Sequence, residues 1–175
     1  MNNNDITLEL APASEAPLVA NLLELYQYDL SEIFQLDVGP GGRFGYERLP
    51  LYWSESLHRF PFLIKLDGRV VGFALATLGS PASDDPRVFD VAEFFILRRY
   101  RHRGVGKRAA HLLWDQHPGR WFVRVYERNA GALIFWRQVI SEYGVGANEE
   151  LREQPERWCV FSFLSRDNRR DSRIS

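Results

Sequence analysis

Apolar and polar positions run along the chain with two periods, and each change of period marks an element. Residues 6–10 alternate as a half-buried strand does. Pro12 and Ser14 punctuate the end of that strand, and Ser14 suits the N-cap of a helix. Val19, Leu22, Leu23, Tyr26 and Leu30 fall on one helical stripe, which predicts a helix over residues 15–28 that continues or kinks into 30–34. Residues 37–45 are a glycine-rich loop by composition, either a lid or a plain connection, and too short for a domain linker. A second helix is predicted over 51–59, carrying Tyr52 and Trp53. The apolar runs 62–66 and 70–78 meet at Asp67-Gly68, a strong hairpin signal. The second run places Gly72, Ala74 and Ala76 on one face, so something packs closely there. After a loop at 79–86, residues 88–97 read as the next strand, antiparallel to its predecessor.

That strand ends abruptly in a basic, glycine-spaced turn. Beyond it Val105, Ala109, Leu112 and Leu113 recur at helical spacing, so residues 94–107 read strand, tight turn, helix. His117-Pro118-Gly119 stops the helix. Residues 121–126 alternate as a strand. Asn129 suits an N-cap for a helix whose stripe is Ala132, Leu133, Trp136, Val139 and Ile140, and Gly144 is its expected C-cap glycine. A weak strand over 145–151 precedes a last strand over 158–164. Residues 166–175, with four arginines, are expected to be a flexible tail, so the domain spans 1–165.

Composition narrows the class. A chain of 175 residues fits one domain, and 45% hydrophobic with 26% charged residues is ordinary for a globular protein. A formal charge of −1 argues against a dedicated nucleic-acid or membrane-surface protein. The single cysteine, Cys159, sits in an apolar run and reads as an inert buried thiol. The four histidines lack metal-ligand spacing, so no metal is expected. No run approaches a membrane span, and residues 1–5 do not look like a signal peptide, so the cytoplasm is the expected compartment.

A glycine turn at a helix N-terminus is a ready anion site. The turn is not a Rossmann fingerprint, since position 109 holds Ala109 where a third glycine belongs, and no Walker loop exists. Arg101-His102-Arg103-Gly104-Val105-Gly106 fits the [Arg/Gln]-x-x-Gly-x-[Gly/Ala] motif between strand and helix, and so resembles the GNAT superfamily, the Gcn5-related N-acetyltransferases. The order of elements agrees along nearly the whole chain. The resemblance implies an α/β (α+β) domain: a mixed, mostly antiparallel sheet of six to seven strands flanked by about four helices, splayed at an acyl-CoA slot. It implies acetyl-CoA as co-substrate. His102 to Lys107, with Gly104 and Gly106 free of Cβ clashes, would cradle the pyrophosphate, aided by the charge of Arg101, Arg103 and Lys107. Main-chain groups of Phe94 and Ile96 would bond the pantetheine arm. The same arginine-rich run would also suit nucleic-acid phosphates, a reading that the near-zero net charge disfavours.

Asn129-Ala130-Gly131-Ala132-Leu133-Ile134-Phe135-Trp136 resembles the superfamily's second signature, in which an asparagine positions the cofactor arm and a tyrosine protonates the departing thiolate. Here Trp136 replaces that tyrosine, and an indole N–H is not a usable acid. Tyr100, Tyr126, Tyr143 or solvent would have to supply the proton. Amine acetylation also needs a base, for which the strand offers Asp90 and Glu93. The apolar setting of Glu93 would raise its pKa and favours it. Tyr28 and Asp29 are candidate contacts for a cationic amine. The expected activity is acetyl transfer from acetyl-CoA to a small-molecule or peptide amine, with no nucleic-acid or membrane partner and a homodimer possible. A non-catalytic acyl-CoA sensor is the alternative.

Overall fold

The hairpin at Asp67-Gly68 organises the front of the sheet. Both residues take positive φ, 50° and 76°, as the tight two-residue hairpin turn requires. The computed structural model describes residues 5–153 and 156–165, so the predicted tail at 166–175 lies outside the described residues. The strands are β1 (Ile6–Leu10), β2 (Arg59–Leu66), β3 (Arg69–Leu78), β4 (Phe89–Ile96), β5 (Arg120–Tyr126), β6 (Val145–Arg152) and β7 (Trp158–Leu164). The helices are α1 (Ala16–Phe34), α2 (Leu51–Ser54), α3 (Val105–Gln116) and α4 (Ala130–Tyr143). One seven-stranded sheet runs β1-β2-β3-β4-β5-β7-β6, and its neighbours pair antiparallel except β4 with β5. This is the mixed α/β architecture expected from the sequence.

Strand alternation sorts the core into two layers. Phe62, Ile64, Ala74 and Ala76 pack beneath Val105, Leu113 and Trp114 of α3 and Trp136 and Ile140 of α4. Leu63, Phe73, Leu75 and Phe95 face the opposite way, beneath Val19 and Leu23 of α1 and Tyr52 of α2. Cys159 is buried in the first layer, and burial raises its thiol pKa. No described helix is long and apolar enough to cross a membrane.

Three local readings are corrected. Ser14 does not cap α1. It lies in a short 3-10 turn, Ala13–Glu15, while Glu15 takes the N-cap position without a side-chain bond and Pro17 sets the first helical turn. The second helix is four residues long rather than nine, because β2 draws Arg59 and Phe60 into pairing with Thr77 and Ala76. Gly144 is not a left-handed cap: its φ is −70°. A Cβ there would stand 3.0 Å from the Phe163 side chain, so this glycine lets α4 end close against β7.

Two irregularities shape the sheet's centre. Leu75 pairs with Glu93 and Ala76 with Val91, so Ala92 is the extra residue of a β-bulge. The parallel ladder between β4 and β5 holds only Phe89–Trp121, Asp90–Phe122 and Val91–Val123. Beyond Val91 the two strands part.

Gly72 shows how tightly β3 lies against β4, since a Cβ there would sit 2.1 Å from the Phe95 carbonyl oxygen. Gly72→Ala is expected to lower the unfolding free energy by about 3 kcal/mol, at the upper end of overpacking costs. Gly41, whose Cβ would meet nothing within 4 Å, is the control, and Gly41→Ala should stay within about 0.5 kcal/mol of the native protein. Urea unfolding of the two variants checks this, and equal midpoints would refute it.

Candidate active site

A cavity of about 740 Å³ opens where β4 and β5 separate. Its floor is β4 from Val91 to Phe94 and β5 from Val123 to Tyr126. Asn129, Ala132 and Trp136 close one end, and α1, α2 and the loop between them wall the other.

The backbone of β4 is polarised by this parting. Leu97 N donates to Val71 O at 2.9 Å, so odd-numbered residues of the strand's end face β3. Alternation then turns the amides of Phe94 and Ile96 toward the gap that β5 has vacated. These are the two residues whose main chain was expected to bond a cofactor arm. The Ile96 carbonyl is already taken, since it accepts from Arg101 Nε at 2.7 Å.

The turn after β4 reverses sharply. A 3-10 turn (Arg98–Tyr100) leads to His102 and Gly104, with φ of 59° and 77°. Gly104 is the N-cap of α3, and no side chain caps that helix. The amides of Val105, Gly106 and Lys107 therefore have no intrahelical carbonyl, and the helix dipole points its positive end at them. His102, Arg103 and Gly104 are exposed. Lys107 reaches back to Glu142 of α4 at 3.1 Å. Gly104 has open space around it, as a phosphate approach needs. Gly106 has a further reason to be glycine: a Cβ would stand 3.2 Å from the Phe135 ring, so it keeps α3 close to α4.

Arg101 does not offer its side chain to the turn. Its guanidinium binds the Ile96 carbonyl and the Asp29 carboxylate and lies 5.5 Å over the Phe95 ring. Arg98 Nε joins the same carboxylate at 2.8 Å. Burial alone would raise the Asp29 pKa, but the hydrogen bonds from Arg101 and Arg98 hold it below the usual aspartate range. Asp29 is thus an internal brace between α1 and the turn. Tyr28 is 67% exposed. Neither Tyr28 nor Asp29 lines the cavity, which corrects their reading as amine contacts. The phase of α1 explains it: Tyr26, Leu30 and Phe34, at four-residue steps, are the residues that face inward.

Glu93 does line the cavity, and its carboxylate is held at both oxygens. Tyr26 Oη donates to Oε2 at 2.8 Å and Tyr46 Oη to Oε1 at 2.9 Å. Burial raises the Glu93 pKa, against the lowering effect of the two hydroxyls and of Arg124. Burial, followed by the Glu93 charge, raises both tyrosines and keeps them neutral donors. Asp90 is differently placed. Fully buried, it receives Arg124 at 2.9 Å and the Ser80 hydroxyl, which excludes it as the strand's free carboxylate.

Tyr46 went unread in the sequence. It lies just past the glycine-rich loop, which α1 pins: Glu24 accepts from the amides of Phe44 and Gly45 at 2.8 and 2.9 Å, and Gln27 Nε2 donates to Gly45 O at 2.6 Å. The loop is therefore the arm that carries Tyr46 to Glu93.

The second constellation is also at the cavity. Asn129 caps α4 by accepting from Ala132 N at 3.1 Å. Trp136, 6% exposed, meets the Phe94 ring edge-on at 5.2 Å and forms the wall. Of its candidate replacements, Tyr143 is buried with its hydroxyl 2.5 Å from Asp115, and Tyr100 lies outside the cavity against Arg99. Tyr126 lines the cavity.

Comparison with known proteins agrees with this fold. A solved acetyltransferase from Thermus thermophilus superposes with a TM-score of 0.63 at 19% identity, covering 94% of this chain and 99% of that one. An aminoglycoside acetyltransferase, AAC(6')-Ib in complex with coenzyme A, gives 0.65 at 14% identity, covering 97% and 99%. The ribosomal-protein-S18-alanine N-acetyltransferase from Escherichia coli gives 0.60 at 13% identity, covering 94% and 98%. At these identities the likeness is one of fold. No curated protein matches the sequence significantly. The sequence model of the acetyltransferase (GNAT) family matches residues 27–139, which hold the glycine turn, Glu93 and the Asn129–Trp136 segment. Matched over well more than half its length, this chain belongs to the acetyltransferase (GNAT) family.

Proposed function

We propose that the protein moves an acetyl group from acetyl-CoA directly to a primary amine, with Glu93 as the base. The observation that carries this reading is the half-buried Glu93 carboxylate, held between two tyrosine hydroxyls where β4 leaves β5. Acetyl-CoA is the co-substrate of this acetyltransferase and supplies an acetyl group activated as a thioester. The residues present fit it. The uncapped amides of Val105 to Lys107 suit a pyrophosphate, and the free amides of Phe94 and Ile96 suit an extended, amide-bearing arm.

Each residue of the cavity has its own role. An alkyl ammonium near pKa 10 must lose a proton before it attacks, and Glu93 accepts it. Tyr26 and Tyr46 hold both carboxylate oxygens, and so orient the base. Backbone N–H groups at the bulged end of β4 polarise the acetyl carbonyl. Trp136 walls the slot. Tyr126, which lines the cavity, would protonate the departing thiolate, with solvent as the other source. Solved relatives bind aminoglycosides or are named for ribosomal proteins, so the fold accommodates both small-molecule and protein amines. The second reading, an acyl-CoA sensor without turnover, draws its support from Trp136 in the motif tyrosine's place. Free-thiol release on mixing protein, acetyl-CoA and a panel of amines tests the choice: release above background with some amine supports transfer, and tight CoA binding without release supports the sensor.

Glu93→Gln is expected to lower kcat by about 100-fold while CoA affinity changes less than about twofold. A base must be ionised, so native kcat/KM should fall as pH drops through the raised Glu93 pKa, above the ordinary carboxylate range. That acid limb should vanish in the variant, and a limb that persists in Glu93→Gln places the base elsewhere. Gly104→Asp sets a side chain on a left-handed residue and an anion at the α3 N-terminus, and should weaken CoA binding at least tenfold, about 1.4 kcal/mol. Asp29→Ala, which frees Arg101, should weaken it in the same direction. Calorimetric titration with CoA reads both variants, and unchanged affinity in Gly104→Asp would sink the phosphate assignment.

A further inference from the structure

We propose that the acceptor carries a carboxylate beside its amine, as an α-amino acid with a large apolar or aromatic side chain does. Tyr52, Arg59 and Arg48 form the subsite for that carboxylate. This rests on the acetyl-transfer reading of the same cavity and names its substrate class.

Tyr52 is the first observation. It is 1% exposed and lines the cavity; its buried hydroxyl lies close to the Tyr46 hydroxyl and to Arg59 but meets neither in hydrogen-bond geometry. Buried polar groups are nearly always satisfied, and an orphaned donor facing a cavity points to a ligand acceptor atom. Burial, followed by the Glu93 charge, pushes the Tyr52 pKa up to about 12, with Arg59 beside it acting the other way. Tyr52 therefore stays a neutral donor and lies within the field of Glu93.

Charge is the second. Arg59 lies 5.6 Å over the Tyr52 ring, and its Nε is used by Glu55 at 2.6 Å, while its remaining donors lie beside the Tyr52 hydroxyl. Arg48 lines the same cavity, and its guanidinium makes no hydrogen bond or ion pair among the described residues. Arg124, the third guanidinium at the wall, is committed to Asp90. The lining therefore holds three guanidiniums against two carboxylates, Glu55 and Glu93, and Glu55 is already paired. A polycation would find one available acid, Glu93, and would be repelled by Arg48. A molecule with one amine and one carboxylate meets Glu93 with the first and the Tyr52–Arg59–Arg48 corner with the second.

The remaining wall is aromatic. Phe34 stacks on Tyr126 at 4.9 Å and lies 6.1 Å from Trp158. Those rings offer a face to an apolar side chain.

Amino acids and their decarboxylated amines separate this proposal from the reading beneath it. The CoA-loaded protein is titrated calorimetrically with L-phenylalanine against 2-phenylethylamine, L-tyrosine against tyramine, L-leucine against isoamylamine, and with spermidine. In at least one pair the amino acid should bind at least tenfold more tightly than its amine. In Arg48→Gln or Tyr52→Phe that advantage should fall below threefold, with CoA affinity kept. Tyr52→Phe should also melt no lower than the native protein without acceptor, because it removes a buried hydroxyl that meets neither neighbour in hydrogen-bond geometry. The proposal is overturned if no amino acid outbinds its amine (including the case in which nothing binds), if spermidine binds more tightly than every amino acid, if the advantage survives in both variants, or if Tyr52→Phe melts lower. Thiol release is scored separately: an amino acid that binds through this corner without releasing thiol leaves the carboxylate subsite standing and removes acetyl transfer.

Discussion

Beyond Val91 the central strand of the sheet has a partner on one side only, and the site arises from that loss. Backbone N–H and C=O groups inside a fold are rarely left unpaired. Here β5 leaves just where β4 carries a bulge, so Phe94 faces a cavity and the Ile96 amide the gap beside it in place of a strand. The Ile96 carbonyl is rescued by Arg101, while the amides are not. A ligand that is itself an extended chain of amides can complete the ladder as an extra strand would. The parting thus turns the middle of a sheet, ordinarily its most inert part, into a binding surface.

Arg101 links this surface to its surroundings. One guanidinium touches the end of β4, the ring of Phe95 and the carboxylate of Asp29 on α1. The glycine turn is therefore fixed to α1, which walls the cavity. Asp29 is held ionised by Arg101 and Arg98, so the brace weakens only when acid protonates it, below the ordinary carboxylate range. Several cations of the motif region are consumed this way. Positive field in the turn comes from the helix dipole and from exposed Arg103 more than from Arg101.

The parts legible in the sequence are those that act through the backbone. Gly104 must take a left-handed φ, Asp67-Gly68 must turn in two residues and Asn129 must cap a helix, and each demand restricts residue type at one position. Glu93 was legible for a related reason, a lone acid in an apolar strand. The misread parts depend on how helices are rotated and on contacts between distant segments. Tyr28 and Asp29 sit beside Tyr26 in the chain, and only the phase of α1 decides that Tyr26 faces inward. Tyr46 meets Glu93 across 47 residues through a loop whose path depends on Glu24 and Gln27, and no local pattern encodes such a meeting. Gly106 has a packing role that the sequence does not show, because Phe135, which it accommodates, lies 29 positions away on another helix.

The same division explains why family membership says more about the cofactor half than about the acceptor half. A pyrophosphate and an amide-bearing arm can be held by main-chain groups, so many side chains are free to vary around them while the fold stays recognisable at 10–19% identity. On the proposed reading the acceptor half is built from side chains: three tyrosines around one glutamate, and guanidiniums flanking the short α2 segment. Trp136 stands at the boundary. As an indole packed on Phe94 it preserves the wall of the slot and gives up the proton that a tyrosine would supply. With a thiolate as leaving group that loss is tolerable, whereas the ammonium of the acceptor cannot attack until it is deprotonated. On the proposed acetyl-transfer reading, the chemistry of this cavity leans on Glu93 and the hydroxyls that hold it, and selectivity rests with the residues that decide which amine reaches that carboxylate.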